Sequence, residues 1–163
     1  MLRPARYIDK EETVEFGELH LFVGPDFVVT VRHAESPDLM KVRHRMEASP
    51  DLLGRGPEAV LYAILDQVVD EYEPVIAGLE NDIDEIEDQL FAGESSVSQR
   101  IYELTREVIT FQRAIAPLTG MLQQMRAEID GQEALVEVRR GLRDVLDHVT
   151  RIQERVELSL IHI

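Results

Sequence analysis

The sequence predicts an α+β protein: a small, incomplete antiparallel sheet followed by a long antiparallel three-helix coiled-coil unit. Three observations predict it. Residues 12–31 alternate apolar and polar side chains up to and after a Gly24-Pro25-Asp26 turn, the pattern of a hairpin. From residue 57 onward apolar residues recur at steps of three and four in three long series, the pattern of helices that share a seam. Only short breaks separate the series, and short connections make long helices antiparallel neighbours.

In chain order, Tyr7-Ile8 ends a short strand limited by Pro4. Val14 and Phe16 lie in one phase and Leu19, Leu21 and Val23 in the other, so a strand over 12–23 needs a bulge at Gly17-Glu18. The β-branched run 27–31 returns beside it. Two or three strands are marginal without a cover, and the first starts almost at residue 1, so the sheet reads as a piece of a larger one. Pro37-Asp38 opens a short amphipathic helix through Leu39, Val42 and Met46, closed by Ser49-Pro50, and 53–57 read as a linker ending with Pro57 at a first helical position.

The first long series is Leu61, Leu65, Val68, Tyr72, Val75, Leu79, Ile83, Ile86 and Leu90. It predicts one helix of roughly 50 Å at about 1.5 Å per residue, with a stutter between Leu79 and Ile83 and a kink at Pro74. Ser96 and Gln99 form a capping box for the second series, Ile101, Leu104, Val108, Phe111, Ile115, Leu118, Leu122 and Met125. Pro117 and Gly120 predict a bend there, and Asp130-Gly131 ends it. The third series, Leu135, Val138, Leu142, Val145, Val149, Ile152 and Val156, runs on without a stop signal. The expected division is 1–56, a partial sheet region with a short helix, and 57–163, three long helices: an acidic hairpin over 57–127 and a stalk-like helix over 132–163.

Charge is concentrated. Between Gly56 and Ser96 there are twelve carboxylates and no Lys or Arg, within a chain of net charge −15. A phosphate backbone needs a basic footprint, so nucleic acid is excluded as a partner. The chain has no Cys, which removes disulfides, thiolate nucleophiles and most zinc clusters. His20, His33, His44, His148 and His162 lack paired metal-binding spacing, and neither a phosphate loop nor a nucleophile elbow occurs. An enzyme is not expected. No apolar run of about 18 residues is present to span a bilayer.

A cation is the natural partner of the acidic segment. Glu80, Asp84, Glu87 and Asp88 project from one side of their helix, opposite the Leu79, Ile83, Ile86 and Leu90 seam. Like charges at this spacing repel by a few tenths of a kcal/mol each. Mg²⁺ keeps most of its waters and takes one or two carboxylates, so a diffuse outer-sphere site fits, against the alternative of a solvated face. Asp144 and Asp147 lie three apart on the third helix and could chelate with a neighbouring chain. Helical ion pairs with Arg140, Arg143 and Arg151 are the competing explanation and the one that spacing favours.

Three blocks carry a family resemblance: VLYAILDQVVDEYEPVIAGLENDIDEIEDQLF (60–91), LTREVITFQRAIAPLTGML (104–122) and LRDVLDHVTRIQERVE (142–157). Together they resemble the cytoplasmic domain of CorA-type magnesium transporters: its acidic helix, its returning helix, and the Arg-Asp-Val-Tyr-Asp-His signature of its stalk, with Leu146 where Tyr is usual. The resemblance implies a cytosolic, Mg²⁺-sensing portion of a channel in the cell membrane, reaching the membrane only through C-terminal helices absent from this sequence. The family's Gly-Met-Asn motif is also absent, since Gly120-Met121 is followed by Leu122. The chain is therefore expected to be a fragment, cut at both ends and unable to transport.

By position, Asp147 resembles the stalk carboxylate that holds regulatory Mg²⁺, or another divalent cation, between subunits of the family's pentamer. Asp70 resembles a weaker additional ligand, and Asp144 an outer-shell neighbour. The fragment itself is expected to form a dimer or another small homo-oligomer, and to bind Mg²⁺ weakly through Glu80, Asp84, Glu87 and Asp88. A zinc-transporting relative and a free-standing acidic coiled-coil module are the alternative readings.

Overall fold

A computed structural model describes residues 1–93 and 97–163. Strands β1 (Ala5–Ile8) and β2 (Thr13–Phe16) form one antiparallel hairpin, pairing Ala5 with Phe16 and Ile8 with Thr13. Strands β3 (Glu18–Val23) and β4 (Val28–His33) form a second, pairing Glu18 with His33 and Val23 with Val28. The bulge expected at Gly17-Glu18 is instead a boundary between two sheets. The apolar phase changes there because β2 and β3 pair with different strands. The amide of Gly17 donates to the Pro4 carbonyl at 2.9 Å, and Leu2 exchanges two backbone hydrogen bonds with Leu19, at 2.8 and 3.0 Å.

Helix α1 (Leu39–Glu47) is capped by Asp38, whose side chain accepts from the amides of Met40 and Lys41. Between α1 and the expected linker a short helix forms, α2 (Pro50–Leu53), which ends on the linker's first residue. The single helix predicted from residue 57 is two: α3 (Pro57–Asp70) and α4 (Glu73–Ala92). Pro74 explains the break, since in a continuous helix its ring would meet the carbonyl four residues earlier, at Asp70, where α3 stops. Helix α5 (Val97–Glu128) passes through Pro117 as one element. The capping box at Ser96 falls outside the described residues. A 3₁₀ turn (Glu133–Leu135) leads into α6 (Val136–His162).

Helix α6 packs against α3, α4 and α5, while β1 lies on α4, β2 on α5, and α1 and β4 on α3. One continuous core results, in which Leu2, Ala5 and Leu19 join the helical seams. It includes the α3–α4 junction. Tyr72 is fully buried there, edge-on to Phe111 at 5.4 Å, and its hydroxyl donates to the Arg3 carbonyl at 2.7 Å. Two helical glycines admit tyrosines from neighbouring elements. A Cβ on Gly78 would stand 2.6 Å from the Tyr7 ring, and one on Gly141 would stand 2.4 Å from the Tyr62 ring. β1 thus sits against α4, and α3 against α6, at distances only glycine allows.

Candidate functional site

The acidic segment finds its bases on other elements. Arg45 of α1 holds Asp66 at 2.7 Å, His148 of α6 faces Asp70 at 3.3 Å, and Arg100 of α5 holds Glu85 at 3.0 Å. Arg155 of α6 grips both oxygens of Glu80, at 2.9 and 2.6 Å, and also bonds Glu73. His162 of α6 reaches Glu87 at 2.7 Å. The expected uniform acidic face is therefore divided: Glu80 and Glu87 are engaged, whereas Asp84 and Asp88 are exposed and make no ion pair among the described residues. Arg155 depresses the Glu73 carboxyl chiefly through its hydrogen bond, with His148 adding to the effect.

On the α3–α6 face, Asp144 and Asp147 are exposed. Among the described residues neither makes an ion pair, although Arg140, Arg143 and Arg151 stand at helical spacing. The expected salt-bridge reading of these two carboxylates is thus corrected. Arg151 donates to the backbone carbonyl of Asp147, at 3.4 Å, and not to its carboxylate. Asp66, Asp70 and Asp144 all bear on the phenol of Tyr62, whose pKa is raised first by burial and then by these charges. Partial burial, followed by Asp66, also raises the Asp70 carboxyl from its ordinary value. The structure gathers Asp70 and Asp144 around Tyr62 and places Asp147 one turn further along α6.

A third group of carboxylates has no counterpart in the sequence expectations. Asp82 is 3% exposed, and its Oδ1 accepts from the Tyr7 hydroxyl at 2.7 Å. Burial raises its pKa, against the opposing effect of that hydrogen bond. One oxygen each from Glu12, Asp82 and Glu85 lies within 4.8 Å of the other two. Arg100 bonds Glu12 and Glu85. A signal for Asp82 was present in the sequence, because it falls between Leu79 and Ile86 at steps of three and four, an acid in the apolar phase. Nothing in the sequence pointed to Glu12, which comes from the β1–β2 turn.

Comparison with known proteins gives the family. The model of the CorA-like Mg²⁺ transporter protein family matches residues 1–160, and the chain belongs to that family. It is 33% identical over 148 residues, 90% of its length, to YfjQ, a metal ion transporter candidate of Bacillus subtilis (strain 168), covering 46% of that protein. It is 28% identical over 101 residues, 60% of its length, to the cobalt/magnesium transport protein CorA of Thermotoga maritima, covering 28% of that protein. The chain thus spans about half the length, or less, of these relatives. The soluble domain of CorA from Methanocaldococcus jannaschii superposes with a TM-score of 0.74 at 16% identity, over 99% of this chain and 64% of that one, and so shares its fold. Among the described residues no helix is long and apolar enough to cross a membrane.

Proposed function

We propose that this chain is the cytosolic, Mg²⁺-sensing part of a CorA-like divalent-cation channel, in which ions held between subunits regulate gating. One observation supports this most: Asp144 and Asp147 stay exposed and without ion pairs while three arginines lie within helical reach. Carboxylates that decline local pairing remain available to a cation shared with a neighbouring chain. In this reading Asp147 is the principal ligand, Asp70 a weaker one beside it, and Asp144 acts through water, as Mg²⁺ favours. Residues 1–56 supply the sheet region and 57–163 the helical unit of each subunit of a homopentamer. Bound Mg²⁺ offsets the repulsion between α6 helices and favours the closed arrangement; its loss shifts the population toward the open one. Asp84 and Asp88 add a weak, screening response at the α4 tip.

The test is ion uptake by the pore-bearing pentamer at high internal Mg²⁺. Asp147→Asn should keep flux running where the unsubstituted protein shuts it off, and Asp147→Glu should restore closure. Equal shut-off in all three would remove Asp147 from gating.

A further inference from the structure

Between the β1–β2 turn, α4 and α5 lies a cavity of about 190 Å³. Glu11, Glu12, Asp82, Glu103 and Glu107 line it against a single guanidinium, that of Arg100. Two carboxylate oxygens on its walls, Asp82 Oδ2 and Glu107 Oε2, are buried and have no hydrogen-bond partner. Such oxygens are costly to leave unpaired. Arg100 does not supply the missing partner: it takes Oε2 of Glu12 and Oε2 of Glu85, and among the described residues it makes no ion pair with Asp82. Tyr7 occupies only the other Asp82 oxygen.

We propose that Glu12, Asp82 and Glu85, with Glu107 on the cavity wall, hold a hard divalent cation within one chain, the ion displacing the Arg100 guanidinium that bridges Glu12 and Glu85. Three carboxylate oxygens within 4.8 Å of one another match the spacing of ligands around one ion with metal–oxygen distances of about 2.1 to 2.5 Å. The donor set is all oxygen, which selects Mg²⁺, Mn²⁺ or Ca²⁺ over zinc. The cavity has room for the ion and for waters it retains. A dication also suits the charge balance, since one guanidinium faces at least four carboxylates there. The site joins the β1–β2 turn to α4 and α5 and needs no second subunit, so it goes beyond the inter-subunit reading above.

The test uses the 163-residue chain, titrated with MnCl₂ at fixed ionic strength while the paramagnetic resonance of free hydrated Mn²⁺ is followed. A single bound Mn²⁺ displaceable by MgCl₂ is expected. Asp82→Asn should weaken it at least about tenfold, as loss even of ligand-orienting groups does. Glu12→Gln, on an exposed turn, provides a second variant should Asp82→Asn fail to fold. Asp147→Asn and the double variant Asp84→Asn, Asp88→Asn should leave this binding unchanged. Mn²⁺ that NaCl removes as readily as MgCl₂, or that persists in Glu12→Gln and any folded Asp82→Asn, would overturn the site. Loss in Asp147→Asn alone would transfer the ion to the inter-subunit position.

Discussion

At the scale of single residues, two side chains tie the N-terminal hairpins to the helices, and each depends on a specific neighbour. Tyr7 lies across Gly78 and reaches Asp82 one turn on. A methyl at Gly78 would favour the helix by about 1 kcal/mol, yet it would stand 2.6 Å from the Tyr7 ring. We expect Gly78→Ala to lower the melting temperature, because displacing the ring also unpairs a buried carboxylate; a rise would show that β1 does not dock on α4. Glu73 supplies a pH test. Arg155 holds its carboxyl below the ordinary value of 4.5, so the folded state binds this proton less readily than the unfolded chain. Its contribution is present above about pH 4.5 and fades as pH falls through the depressed folded value. Glu73→Gln should therefore be less stable than the unsubstituted chain at neutral pH, with the gap narrowing in acid. A gap that does not change with pH would detach Glu73 from Arg155.

At the scale of elements, the seams were legible because apolar steps of three and four need no tertiary information. Phe111 and Ile115 stand at the centre of α5 and are 0% exposed. Placing Asp at either should cost on the order of 3–5 kcal/mol by burying an unpaired charge, and an unchanged denaturation midpoint in both variants would contradict the packing of α5 on α6. Heptad spacing alone did not reveal that α3 and α4 are separate helices, since the seam continues through Tyr72 and Val75 across the break. Pro74 carried the signal, but as a break and not as a kink. Likewise, the change of phase at Gly17 was visible, while its cause was not: it required knowing that β2 pairs backward with β1 and β3 forward with β4.

At the scale of the whole molecule, the composition showed a strongly acidic segment but not its neutralisation. Arg45, Arg100, His148, Arg155 and His162 lie distant in sequence from their partners and meet them only through packing. The candidate sites divide along the same line. Asp70, Asp144 and Asp147 were legible through a local signature, whereas Glu12 with Asp82 is a tertiary pairing. The β3–β4 hairpin leaves Phe22, Phe27, Val29 and Val31 about half exposed, beside strand edges that can recruit another chain. We expect light scattering on the isolated chain to show a dimer or small assembly that dissociates when Phe22→Lys and Val31→Lys are introduced. A strict monomer at high concentration would contradict this, as would a stable pentamer.

The proposed role of Asp147, as ligand to a cation shared between subunits, is read most directly by limited proteolysis of the full-length, pore-bearing protein across a MgCl₂ titration. Unsubstituted protein should pass from cleaved to protected at millimolar Mg²⁺, as ligand binding stabilises the closed arrangement. Asp147→Asn should move that midpoint upward by about tenfold, equivalent to roughly 1.4 kcal/mol of lost coupling, while the double variant Asp84→Asn, Asp88→Asn should move it little. The same midpoint in Asp147→Asn as in the unsubstituted protein would contradict the claim.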